Sequence, residues 1–281
     1  MMDGLFEYKG ERTSDWVAVV VHGSTQVHYD DRHPLVRLLK KHVSTVYSLD
    51  LPGHGSMSKQ LPKNVSEATN IFFEMIRPVV ENKRLLIVGF SMGGIFTIKK
   101  WRQLKEVTEQ LVGIMIGVGL FISDTQLAQI RLFFSERHYR ISGWVKRMEE
   151  MHGSHWKELV NTIGSWFDPN FPDNALFRDE EREMIVDEPL FFVIGNRDQA
   201  FSLDGFSIFP ERSCMDLVNY TSLFIGPPES RPDPLSECDL ERHVFIIAGH
   251  HFSYFHPKAA FPIVGYIIEN LLRCLGVSSN R

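Results

Sequence analysis

The chain has 281 residues, 43% hydrophobic and 23% charged, with a formal net charge of −5. That balance excludes a disordered chain and leaves no basic face for nucleic acid, and the length fits one large α/β domain with room for an inserted subdomain. Cys214, Cys238 and Cys274 are too few and too scattered for a disulfide framework, and none forms a Cys-x-x-Cys pair that would suggest zinc, so a reducing compartment is the simplest expectation.

Residues 1–12 are polar and lack the apolar centre of a signal peptide. Residues 16–21 (WVAVVV) form a continuous β-branched run followed by His22-Gly23, as in a strand buried on both faces. Pro34 opens an expected helix closed by Lys40 and Lys41, cations suited to a helix C-terminus. A second strand over 43–49 ends in Asp50-Leu51-Pro52-Gly53-His54-Gly55. Ala68, Ile71, Phe72, Met75, Ile76, Val79 and Val80 then recur at helical spacing. A third strand over 85–88 runs into Gly89-Phe90-Ser91-Met92-Gly93-Gly94, and a helix over 95–104 follows.

The most apolar run, 111–122, is about a dozen residues, short of the roughly 18–20 that span a bilayer. Its glycines and β-branched residues suggest a buried strand, and the expected location is the cytoplasm. Strand–helix alternation predicts a mainly parallel sheet with helices on both faces. It breaks over residues 120–187, where 125–134, 143–151 and 156–167 read as short helices and no strand stands out. It resumes at 189–194 (PLFFVI) and 243–247, and a helix over 258–275 closes the chain. Residues 1–119 and 188–281 therefore form the expected core, with 120–187 a helical insertion. Residues 226–234, with four prolines, read as loop.

Gly89-Phe90-Ser91-Met92-Gly93 fits G-x-S-x-G between a strand and a helix. Small residues make room for that tight turn, which holds a serine hydroxyl out at the sheet edge. Serine is a poor nucleophile unless a base takes its proton and an acid orients the base. On such a turn the chain order is Ser, acid, His. Asp198 follows the strand over 189–194, and His250 and His251 follow the strand over 243–247. Asp204 is the fallback acid, and only one of the two histidines can face Ser91. Two backbone N–H groups should face the developing oxyanion, each worth about 3–4 kcal/mol. Met92 and Ser24 are the expected donors, since Gly23 allows close approach of the backbone. His22 and His54 read as structural. No phosphate-binding glycine loop, dinucleotide fingerprint or His-x-x-x-His pair is present, so no cofactor and no metal is expected.

Val21-His22-Gly23, the Asp50–Gly55 loop, the Ser91 turn, Gly195-Asn196-Arg197-Asp198 and Gly249-His250 together resemble the α/β-hydrolase superfamily, most closely its small capped esterase branch. The resemblance implies an α/β-hydrolase fold in which 120–187 forms a cap, or lid. It favours His250 as base, because Pro257 lies seven residues on, where family members often carry a proline. His251-Phe252 mimics the frequent His-aromatic pair and keeps His251 as the alternative. Three departures stand out: a short N-terminus before Val21, a long stretch between Asp198 and His250, and Phe255 or His256 in place of an acidic residue after the histidine.

The reading is a serine hydrolase acting on a small ester or thioester of an apolar acyl group, with Ser91 as nucleophile, Asp198 and His250 completing the triad, and Ser24 and Met92 binding the oxyanion. Phe90, Trp144 and Trp156 are expected in the substrate pocket, and Phe133, Phe134 and Trp166 are further candidates. A serine rather than an aspartate at 91 argues against haloalkane or epoxide chemistry. The alternatives are other triad chemistry on the same fold (C–C hydrolase, lyase or acyltransferase) or a small-molecule receptor with slow turnover.

Overall fold

The computed structural model describes residues 3–171, 173–201, 203–220, 224, 235 and 240–277. The strands are β1 (Leu5–Lys9), β2 (Trp16–Val21), β3 (Thr45–Leu49), β4 (Arg84–Phe90), β5 (Gln110–Ile116), β6 (Leu190–Gly195), β7 (Cys214–Asp216) and β8 (Val244–Ile247). They form one sheet in the order β1-β3-β2-β4-β5-β6-β8-β7. Only β1 runs antiparallel to its neighbour. The expected mainly parallel α/β sheet is therefore the observed one.

The helices are α1 (Pro34–Lys40), α2 (Val65–Val80), α3 (Met92–Lys99), α4 (Trp101–Val107), α5 (Asp124–Phe133), α6 (Glu136–Ser142), α7 (Val145–His152), α8 (Trp156–Trp166), α9 (Asp179–Val186) and α10 (Phe261–Cys274). Every residue of β2 is buried, and its alternation divides them between two cores. Val17, Val19 and Val21 face one core, which also holds Phe72 of α2 and Phe96 of α3. Ala18 and Val20 face the other, with Leu35 of α1 and Ile267 of α10. Helices thus cover both faces of the sheet, as a fully buried parallel sheet requires.

Some elements differ from the sequence reading. β1, at the sheet edge, alternates half-buried Phe6 and Tyr8 with exposed Glu7 and Lys9, and its polar positions conceal it in the sequence. β7 has only three residues, too few for a pattern. The single helix expected after Ser91 is two, α3 and α4, meeting at Lys100. Among the described residues, helices α5 to α9 lie between β5 and β6, with α6 and α9 added to the three expected helices. Cys214 is free and Cys274 is disulfide-bonded; such bridges are uncommon in the reducing compartment that the cysteine count suggests. The proline-rich loop 226–234 and Cys238 lie outside the described residues. Among the described residues no helix is long and apolar enough to cross a membrane.

The insertion shares a core with the sheet. Leu127, Trp156, Leu159, Ile163 and Trp166 belong to the same apolar cluster as α2 and α3, and the Trp166 ring lies 6.0 Å from that of Phe96. Trp166→Ala should cost about 3–5 kcal/mol, the range for emptying a buried large aromatic site. Urea unfolding followed by circular dichroism should show one transition, moved to lower urea. Two separate transitions would mean that the insertion and the sheet do not unfold as one unit.

Candidate active site

The turn from β4 into α3 places Ser91 at φ 51° and ψ −118°. A non-glycine residue there is strained by about 1–3 kcal/mol, and such strain is sustained only where the surroundings enforce it. Here they do. A Cβ on Gly89 would lie 2.6 Å from Gly94 Cα, and one on Gly93 would lie 2.5 Å from the Val21 carbonyl oxygen and 2.6 Å from that of His22. The Ser91 N–H donates to the Ile116 carbonyl at 3.0 Å, which ties the turn to the end of β5.

Asp198 follows β6 and His251 follows β8. The Asp198 side chain is fully buried and accepts the His251 Nδ1–H, at 3.1 Å on Oδ1 and 2.9 Å on Oδ2. An ionised carboxylate only accepts, so Nδ1 carries the proton and Nε2 is free to accept. Ser91 Oγ lies 2.9 Å from that Nε2. The three side chains form one hydrogen-bonded line. The imidazole is further held among the rings of Phe90, Phe201 and Phe252, with centroids 5.2, 5.7 and 5.4 Å away.

His250, the base favoured by the proline spacing, is not beside Ser91; its side chain is exposed. The reason is a turn. The His250 N–H donates to Ser253 Oγ at 3.0 Å, and the Ser253 N–H donates to the His250 carbonyl at 2.9 Å. That turn leaves His250 at the rim and sends the next side chain, His251, inward. The adjacent His251-Phe252 pair is the sequence signal for this arrangement.

Sequence reasoning missed Tyr254. Its hydroxyl accepts the Gly195 N–H at 2.6 Å and donates to Asp198 Oδ2 at 2.8 Å. Burial, with Asp198 beside it, pushes the phenol pKa well up and keeps its proton in place. For Asp198, burial opposes the charge. The facing His251, its hydrogen bond, the Tyr254 hydroxyl and the Ala200 N–H outweigh burial and hold the carboxyl below its usual range. No sequence pattern distinguishes Tyr254 from the chain's other aromatic residues.

Residues 18–261 match the Alpha/beta hydrolase family. The chain belongs to the alpha/beta hydrolase family. No curated protein matches it in sequence. Among solved structures it is similar to MenH from S. aureus, at 14% identity and TM-score 0.59 over 97% of this chain and 98% of that one. It is similar to the meta-cleavage product hydrolase CumD from Pseudomonas fluorescens, at 12% identity and TM-score 0.60 over 96% of this chain and 93% of that one. It is also similar to the type II thioesterase BorB of the borrelidin biosynthetic cluster, at 14% identity and TM-score 0.55 over 95% and 97%. At these identities the likeness is one of fold.

In this hydrolase a cavity of about 350 Å³ opens over Ser91, lined by Gly23, Ser24, Phe90, Met92, Phe133, Phe134, Trp144 and His251 among others. Ser24 and Met92 thus border the same space as the Ser91 hydroxyl. Met92 is the first residue of α3, and N–H groups of a first helical turn have no partner within the helix. The Ser24 turn is braced from behind. The Gly23 N–H donates to Gln26 Oε1 at 3.0 Å, and the Ser24 carbonyl faces His54 Nε2 at 2.8 Å. His22 accepts the Leu51 N–H at Nε2 and donates from Nδ1 to the Gly23 carbonyl. Both histidines are buried, and burial lowers the pKa of each.

Trp156 does not line the cavity. It is fully buried, 5.8 Å from the Tyr139 ring, because its face of α8 packs into the shared core. Trp166 packs there too. Asp204 lines a second cavity, with Asp179 and Arg182. Among the described residues no group of three or more His, Cys, Asp or Glu is arranged to hold a metal ion.

Asp198's depressed pKa has a consequence for stability. Its contribution is present above the ordinary carboxylate value, about 4, and is lost as pH falls through the lower folded-state value. Tyr254→Phe leaves the Gly195 N–H without its acceptor and Asp198 without one donor. Stability at pH 7 should fall by about 1–3 kcal/mol. The Asp198 carboxyl should rise toward its ordinary pKa, so the acid loss of stability attributable to it should shrink. Urea titrations of wild type and variant between pH 7 and pH 3 measure both effects.

Proposed function

We propose that the protein is a serine hydrolase that cleaves a small carboxylic ester or thioester through an acyl-enzyme. The observation that carries this reading is the line from Ser91 Oγ through His251 to Asp198, with 2.9 Å at the Ser91–His251 step and Asp198 held charged at its far end.

In the proposed mechanism His251 Nε2 takes the Ser91 proton as Oγ attacks the acyl carbon. Asp198 stabilises the imidazolium, and the N–H groups of Ser24 and Met92 receive the charge on the carbonyl oxygen. His251 then gives the proton to the leaving alcohol or thiol as the bond to the acyl carbon breaks. Water, losing a proton to His251, attacks the acyl-enzyme, and His251 returns that proton to Ser91 Oγ as its bond to the acyl carbon breaks and the acid leaves. Residues 120–187 act as the cap over residues 1–119 and 188–281, and the aromatic wall of Phe90, Phe133 and Trp144 receives the acyl group. Names among the structural neighbours, a type II thioesterase and a meta-cleavage product hydrolase, are compatible with triad chemistry on an acyl carbon. The lead assignment to esters and thioesters rests on the serine, the base and the two N–H donors.

An alkyl fluorophosphonate should give one covalent adduct, mapped by mass spectrometry to Ser91 and absent in Ser91→Ala. His251→Ala should lower ester hydrolysis by about three orders of magnitude or more, and His250→Ala by less than about threefold. Equal modest losses in the two histidine variants, or no adduct on folded protein, would sink the assignment.

A further inference from the structure

The cavity wall carries one full charge. Arg147, in the first turn of α7, is the one Arg, Lys, Asp or Glu among its lining residues. The guanidinium carbon lies 5.8 Å from the centre of the Trp144 ring, and Trp144 lines the same cavity. No carboxylate among the described residues pairs with Arg147. Its neighbour Lys146 takes Glu150, at 3.8 Å. The first turn of α7 holds no acidic residue. A guanidinium over an indole face at this distance keeps its N–H groups free, and those groups match a carboxylate with two parallel hydrogen bonds.

The rest of the wall is short of negative charge. Asp198 is turned away into its bonds with His251 and Tyr254 and does not line the cavity. Gln26 lines it, but its amide oxygen accepts both the Gly23 N–H and the Tyr29 hydroxyl, at 3.0 and 2.6 Å. Only its NH2 group, a donor, is left. The chamber therefore pairs a largely aromatic interior with one cation that no carboxylate neutralises.

We propose that the acyl group accepted by this protein ends in an anionic group, a carboxylate in the simplest case, which Arg147 receives while the apolar part of the chain lies against Phe133 and Trp144. Arg147 is exposed, so a purely hydrocarbon acyl chain would leave it to water, whereas an anionic chain end would pair with it. A cationic chain end would meet like charge with no carboxylate to offset it. The proposal rests on Ser91 being the acylated residue, and its test separates the two claims.

Two fluorophosphonates of identical chain length serve as probes, one ending in a carboxylate and one in an uncharged primary amide. The rate of Ser91 adduct formation is followed by intact mass. With wild type the carboxylate probe should react about fivefold faster, the scale of one exposed ion pair. Arg147→Gln should abolish that preference, chiefly by slowing the carboxylate probe, and Arg147→Lys should restore part of it. Equal rates with wild type, or a preference that survives in Arg147→Gln, overturns the anionic-acyl proposal and leaves the serine hydrolase standing. No adduct from either probe removes the serine hydrolase reading and this proposal together.

Discussion

The β4–α3 turn passes so close to the end of β2 that a side chain on Gly93 would strike the Val21 and His22 carbonyl oxygens, at 2.5 and 2.6 Å. This steric limit governs the site. It forces Ser91 to a positive φ and puts Met92, at the start of α3, on the cavity wall. The sheet does the rest. β4, β6 and β8 run parallel, so the loops after their C-terminal ends gather at one edge. Ser91, Asp198 and His251 are far apart in sequence and adjacent in space for that reason.

Parallel strands bring the loops to the same edge but do not fix them against each other. Backbone hydrogen bonds do that. The Asn196 N–H donates to the Ile247 carbonyl at 2.8 Å, and the Arg197 N–H to that of Gly249 at 3.0 Å. Tyr254 adds a side-chain tie from the β8 loop to both Gly195 and Asp198. A carboxylate buried this deeply would be costly if alone. It stays charged because donors from both loops and the imidazole converge on it, so the same bonds that align the loops set the electrostatics of the site.

The legible parts of the sequence were those where one residue type has one physical use. The β-branched runs of β2 and β6 have no exposed face to disguise them, and a serine flanked by glycines between strand and helix has few uses besides a tight, hydroxyl-presenting turn. β1 and β7 escaped because an edge strand shows polar residues and a three-residue strand shows no period. The choice between His250 and His251 failed at a finer scale. Counting residues to a proline measures chain length, whereas the Ser253-closed turn decides which side chain faces inward. Trp156 and Trp144 show the same limit in the helical insertion. Both are tryptophans near helix starts, one buried in the core and one on the cavity wall, and composition cannot tell which face of a short helix will dock.

Docking of that insertion is itself informative about where the energy lies. His152, the last residue of α7, accepts the Gly55 N–H at Nδ1, yet its Nε2 is buried with no partner. Burial lowers its pKa to about 3, so the ring is neutral. An unsatisfied buried donor costs on the order of 1–3 kcal/mol. Its ring lies 5.3 Å from that of His54, which faces the Ser24 carbonyl. That unpaired N–H is a cost of docking, and the apolar packing of Leu159, Ile163 and Trp166 offsets it. Dispersion and burial hold the insertion down, while the buried histidines set the shape of the turn beneath it. Substitutions in the apolar contact should act on stability, and substitutions in the histidine seam on the geometry around Ser91.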